Sequence, residues 1–162
     1  MNVSLLNPNP AAIVLPFDLA AAARHVRFLE DSWNLRELNT LVSACAHDCT
    51  WRHRTDSGTS REHIHSLLTE TWSRQLDSRL VMSLWGCREN RMAVRLQCEW
   101  RDGTDQWWRS YGNELWEFDD AGLIHRLEAS INDLPISESE RSFRWAAPGP
   151  RPAAHPGIPN LA

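Results

Sequence analysis

QWWRSYGNELWEFDDAGLIHRLEASIND, residues Gln106 to Asp133, holds two strand-like runs, a turn and most of the chain's chemically usable side chains. From Gln106 to Phe118 the residues are aromatic, β-tolerant or small. Asp119, Asp120 and Gly122 then supply turn chemistry before Leu123 to Ile131 resumes an alternating pattern. The spacing predicts a β-hairpin. Tyr111, Asn113, Glu114, Asn132 and Asp133 are polar groups set among Trp107, Trp108, Trp116 and Phe118. Polar groups taken out of water need partners or a ligand, so a pocket is expected here.

Working outward, the preceding chain supplies elements to pack on that hairpin. Asp18 can cap a helix from Leu19 to about Leu35, with Ala22, Val26, Leu29 and Trp33 on its buried face and Arg24, Arg27, Glu30 and Asp31 on the other. A second helix is expected at about Glu37 to Ala46. Cys49 to Arg54 reads as a strand turning Cys49, Trp51 and His53 inward. Thr59-Ser60-Arg61-Glu62 has the form of a capping box opening a helix to about Leu76, with Ile64, Leu67, Leu68, Thr71 and Trp72 as its buried stripe. Arg79 to Cys87 and Met92 to Trp100 are two further alternating runs. The order α-α-β-α-β-β-β-β predicts an α+β arrangement, a curved antiparallel sheet closed over by helices into a cone.

A chain of 162 residues fits one domain. We place that domain at 17–145, with a disordered arm at 1–16 containing Pro8, Pro10 and Pro16, and a disordered Pro-rich tail at 146–162. The net charge of −4, with both signs interspersed, argues against nucleic acid and against an anionic membrane as partner. All 17 basic residues are Arg, and the absence of Lys excludes Schiff-base chemistry, a pyridoxal phosphate anchor and a P-loop. No apolar run approaches the roughly 20 residues of a membrane span. Four cysteines without a secretory leader predict free thiols and a soluble cytoplasmic protein. Cys45, His47, Cys49 and His53 lie within nine positions, but a C-x₃-C without a second paired half is no zinc spacing, so no metal is expected. No Gly-rich phosphate loop and no G-x-S-x-G occur, and no cofactor is expected.

The order of elements, the strand TWRHR, the run NRMAVRLQCEW (Asn90 to Trp100), QWWRSYGNELWEFDDAGLIHR (Gln106 to Arg126) and the closing SINDLPI (Ser130 to Ile136) resemble the SnoaL-like branch of the NTF2-like superfamily. More narrowly, they resemble the DUF1348-type proteins known as "nuclear transport factor 2 family". The resemblance covers about Asp18 to Trp145. It implies a cone-shaped α+β barrel with an internal pocket, usually dimeric, in a superfamily of isomerases, dehydratases, cyclases, epoxide hydrolases and non-enzymatic binders. Where that narrow family is expected to carry W-R-N-R, this chain has Trp51-Arg52-His53-Arg54. An imidazole at a cavity-facing position can titrate near neutral pH, which an amide cannot. The Asp pairs that the resembling epoxide hydrolases use with an Arg are not matched residue by residue.

His53 is therefore the first candidate acid or base, in a pocket walled by Trp51, Trp72 and Trp108, and the bland alternative is a core histidine satisfied by a carbonyl. Asp133, ending the last strand, can orient His53 or take a proton itself; Asn132-Asp133 before Leu-Pro is also an ordinary turn. Arg95 and Glu99 share a strand face opposite Met92, Val94, Leu96, Cys98 and Trp100. Alternation alone makes Arg95 and Glu99 the wet face, while the resemblance turns them into the cavity and makes the apolar row a dimer surface. On the next strand Tyr111 and Asn113 are the expected ligand hydrogen-bonders, with Asn132 beside them. The function expected is a cofactor-independent enzyme doing acid–base chemistry (isomerisation, dehydration, cyclisation or epoxide opening) on a small apolar or aromatic substrate, as a homodimer. The alternative is a non-catalytic ligand-binding or assembly module. An open cavity with His53 bonded to Asp133 would favour the first, and a cavity filled by Trp side chains the second.

Overall fold

In the computed structural model, which describes residues 9–160, the hairpin at the centre of the sequence forms as β5 (Trp107–Phe118) and β6 (Ile124–Ile136). The turn between them closes through Asp119, whose Oδ1 accepts the Ala121 and Leu123 amides at 3.0 and 2.9 Å. Gly122 sits at φ +78°, where a Cβ would lie 1.7 Å from the Ile13 carbonyl oxygen, so only glycine fits. The remaining elements are α1 (Leu19–Asn34), α2 (Leu38–Ser43), β1 (Cys45–His53), β2 (Asp56–Thr59), α3 (Arg61–Arg74), β3 (Leu76–Arg88) and β4 (Arg91–Arg101). The short strand β2 was not expected from the sequence.

The strands form one sheet in the order β2-β1-β6-β5-β4-β3. Its neighbours are antiparallel except β1 and β6, which run parallel. The all-antiparallel expectation fails at that one seam, because β1 and β6 lie far apart in the chain and no hairpin dictates their direction. Asp18 caps α1 as expected, accepting the Ala21 amide at 2.7 Å. The capping box of α3 does not form: the helix starts one residue later than Thr59 would cap it, with Ser60 at the N-cap position at φ +85° and making no side-chain cap hydrogen bond.

Strand β3 is a sheet edge, and α1 covers it with side chains. Asn34 donates to the Leu80 carbonyl at 2.8 Å and accepts its amide at 2.9 Å, while Glu30 accepts the Met82 amide at 2.7 Å. Glu30, expected on the solvated face of α1, is instead 0 % exposed. Its charge is met by Arg151, whose Nε donates to Oε1 at 2.7 Å. The disordered tail expected from residue 146 thus differs from the structure in residues 146–160, which run back across the molecule and pack on α1. Residues 11–13 dock likewise, with Ala11 and Ile13 buried and the Ile13 amide bonded to Gly122 O at 3.0 Å. The rest of the expected arm, residues 1–8, lies outside the described residues.

Candidate functional site

Directly paired residues on neighbouring strands present their side chains on the same face, so the register lays out the concave wall row by row. One row runs Trp51, Leu127, Trp116, Met92. The next runs His53, Ala129, Glu114, Val94. Further along come Ile131, Gly112, Leu96 and then Asp133, Ser110, Cys98. Helices α1, α2 and α3 close over this wall with Leu29, Trp33, Leu41, Leu67 and Leu68, leaving an open cavity of about 160 Å³. Trp33, Trp51 and Trp116 line it without filling it.

Two titratable groups face this space from one row. Glu114 lines the cavity, and its Oε2 accepts the Trp116 indole N–H at 2.7 Å. Burial in apolar surroundings raises its pKa to about 7, against a small opposing effect of that hydrogen bond. His53, two strands away, is pushed down to about 4 by burial and by the neighbouring Arg54, with Asp56 and Asp133 opposing. At neutral pH it is therefore an uncharged imidazole. Between them stands Ala129, fully buried and too small to fill the gap. At about 4.8 Å per strand spacing the two backbones are roughly 10 Å apart, room for a ligand atom between the side chains.

The polar end of the cavity is a closed network. Arg54, held at φ +59° just past β1, donates to Asp133 at 2.9 and 2.7 Å. Ser110 donates to the same carboxylate at 2.6 Å and accepts the Trp100 indole N–H at 2.8 Å. Asp133 is therefore engaged by Arg54 and Ser110, and no hydrogen bond joins it to His53 among the described residues.

Several expected site residues lie elsewhere. The facing of β4 is the reverse of the cavity assignment: Leu96 and Cys98 line the cavity, and Met92, Val94 and Trp100 share their phase. The apolar row from which a dimer surface was expected thus faces inward. Glu99 is fully buried on the opposite face, accepting Arg109 Nε at 3.0 Å and the amides of Ser142 and Phe143 at 2.9 Å each. Arg95 reaches the Pro159 carbonyl at 3.5 Å on that same outer face. Tyr111, Asn113 and Asn132 are exposed on the outer phase of β5 and β6. Trp108 stacks on Trp100 at 5.8 Å and donates to Asp102, beyond the cavity. Trp72 stands behind Trp33, ring to ring at 5.8 Å, and does not line the space. Trp51 and His53 do line it.

Ser110, Arg54, Cys45 and Cys98 line the cavity without having been expected site residues, and Glu114, named among the polar groups of the hairpin, had been given no role there. The signal for two of them was present: Ser110 and Glu114 share the phase of Trp116 and Phe118, the apolar phase of β5. Among the described residues no cluster of three or more His, Cys, Asp or Glu side chains is placed to hold a metal, and no helix is long and apolar enough to cross a membrane.

Solved structures share this architecture. An NTF2-like protein of unknown function from Burkholderia pseudomallei superposes with a TM-score of 0.61 at 15% identity, covering 66% of this chain and 87% of that one. A hexachlorocyclohexane dehydrochlorinase, LinA type 2, gives a TM-score of 0.61 at 14% identity over 80% of this chain and 95% of that one. The epoxide hydrolase/cyclase-like enzyme SalBIII of salinomycin pyran ring formation gives 0.58 at 12% identity, over 65% and 85%. The fold is thus the NTF2-like α+β cone expected from the sequence. No curated protein matches. Residues 15–144 match the model of the family described as "Protein of unknown function (DUF1348)", and the chain belongs to that family.

Proposed function

We propose that this protein is a cofactor-independent enzyme that moves protons on a small, uncharged, largely apolar molecule, with Glu114 as the proton-carrying group and the neutral His53 across Ala129 as its hydrogen-bonding counterpart. The observation that carries this reading is the Glu114 carboxyl group set in the wall of an apolar cavity beside Trp116, where burial raises its pKa to about 7. Such a group is present in both protonation states near neutrality, the condition for efficient general acid and base work. The neighbours with dehydrochlorinase and epoxide hydrolase/cyclase names support the class of chemistry that this fold accommodates.

Charge matching argues for an uncharged substrate. The guanidinium of Arg54 is already neutralised by Asp133, so an anion entering the cavity meets no free cation there. Size argues for about one ring, since a cavity of roughly 150 Å³ accepts benzene. A panel of one-ring ketones, enones and epoxides provides the test, read as deuterium incorporation, isomerisation or ring opening by NMR in D₂O. Turnover of at least one member, lost by roughly 10²-fold or more in Glu114→Gln while binding persists, is the expected result. Binding of the panel without turnover, equal in both proteins, would make the cavity a ligand-binding site only.

A further inference from the structure

We propose that Cys45 and Cys49 form a redox-active dithiol in the cavity wall, closing to a disulfide when a small peroxide enters the cavity. The two lie on a distorted stretch of β1. Cys45 pairs with Ile124 and Thr50 with Arg126, so five steps of β1 lie against two of β6. That is a span of about 7 Å where an extended strand would cover about 17 Å. His47 and Asp48 are thrown outward as the bulge, and Cys45 and Cys49 both turn into the core. The two thiols are neighbours across the bulge, each shifting the other's pKa, Cys49 downward and Cys45 upward. Their own hydrogen bonds go to backbone carbonyls, Cys45 to Leu41 at 3.9 Å and Cys49 to Thr50 at 3.6 Å. Two inward-facing cysteines on a backbone shortened this far fall within the Cα separation a disulfide requires.

Cys45 also lines the cavity, which gives an uncharged oxidant a path to a pair otherwise closed to solvent. The chemistry balances. The thiolate of the pair attacks one oxygen of the peroxide, and the O–O bond breaks. The departing oxygen leaves as water, and the partner sulfur displaces the second oxygen from the sulfenic acid as another water. Two thiols and one hydrogen peroxide give one disulfide and two waters. The remaining thiols are differently placed: burial pushes Cys98 up to about 12, and Cys87 lies near the β3–β4 turn, half-buried.

The test is to treat the full chain with hydrogen peroxide, alkylate in denaturant and map the tryptic peptide Glu37–Arg52, which contains both residues. The expected result is a peptide lighter by about 2 Da with neither cysteine alkylated. Reduction should restore both thiols. Cys45→Ser and Cys49→Ser should each abolish the change. A Cys87→Ser/Cys98→Ser double variant, which leaves the pair intact, should retain it. Alkylation of both Cys45 and Cys49 under conditions that oxidise Cys87, or a disulfide linking either to Cys98, would overturn the proposal.

Discussion

Arg54 holds the Asp133 carboxylate with two hydrogen bonds, 2.9 and 2.7 Å, and Ser110 adds a third at 2.6 Å. The carboxylate expected to orient His53 is thereby committed to a guanidinium, and the cavity's polar end carries a matched pair of charges. Removing the negative partner should change what the cavity accepts. In Asp133→Asn the Arg54 charge is left unpaired, and benzoate should bind at least about tenfold better than to the wild type, while acetophenone changes little. Tryptophan fluorescence serves as the readout, since Trp33, Trp51 and Trp116 line the space. Equal benzoate affinity in both proteins would show that Arg54 does not face the ligand.

The same geometry sets an expectation for the pair first expected to act together. His53 and Asp133 share no hydrogen bond, and the charges of Arg54 and Asp133 act on the ring only when it is protonated. At pH 7 and above, the effects of His53→Asn and Asp133→Asn on unfolding free energy should therefore add to within about 0.5 kcal/mol. A coupling well above that, measured by urea denaturation of both single variants and the double, would place a link between them that the present contacts lack.

The C-terminal segment should matter for stability. Glu30 is fully buried, and Arg151 donates to it at 2.7 Å. Arg151→Ala leaves that carboxylate with the Met82 amide and a more distant Arg27 at 3.5 Å, an under-paired buried charge. A loss of about 3 kcal/mol is expected. Glu30→Gln combined with Arg151→Ala should lose less than the two singles together, because the amide removes the charge that Arg151 serves. Unchanged urea midpoints in Arg151→Ala would mean that the segment does not dock.

How much of this was legible in the sequence follows from the range of the interactions involved. The face of α1 made by Ala22, Val26 and Leu29, the Asp18 cap and the Asp119–Gly122 turn are local, and the sequence carries them plainly. The outcome for β4 is instructive in the same way: plain alternation puts Leu96 and Cys98 inside, and only the resemblance to other cones pulled Arg95 and Glu99 there. What spacing does not carry are contacts between distant residues, such as Glu30 with Arg151 or Arg54 with Asp133. A Pro-rich tail reads as solvated until it is known that a buried carboxylate waits for its arginine. Glu114 was named among the pocket polar groups, but its importance depends on the Trp116 and Leu127 surfaces that surround it only in the folded cone.

Acid should weaken the fold through His25. Its ring lies between Phe28 and Phe118, its Nε2 is buried without a partner, and burial lowers its pKa to about 4. A depressed histidine binds its proton more readily in the unfolded chain, so stability falls as pH drops from about 6.5 toward 4. His53 acts in the same direction. His25→Leu should flatten that part of the profile of melting temperature against pH, and a slope identical to the wild type would remove His25 from the account.

Glu114 should have the opposite signature, which separates it from both histidines. Its folded pKa of about 7 lies above the ordinary value of 4.5, so the folded state holds the proton more tightly than the unfolded chain. Stability contributed by the neutral acid is complete below about 4.5 and is lost as pH rises through 7, where burying the anion must be met. Glutamine mimics the protonated acid at every pH: it keeps the size, and its carbonyl still accepts the Trp116 indole N–H. Glu114→Gln should therefore lie close to the wild type near pH 5 and exceed it in melting temperature at pH 8, the gap widening as pH rises toward about 7 and staying level above it. The other titratable or charged groups around the cavity are Cys45, His53 and Arg54 on β1 or at its end, Cys98 on β4, and Asp133 on β6 at the Arg54 end. None of them reproduces a gain confined to this variant and this window. A constant offset between the two proteins from pH 5 to 8 would mean that Glu114 is ionised throughout, and would remove the proton carrier from the proposed chemistry.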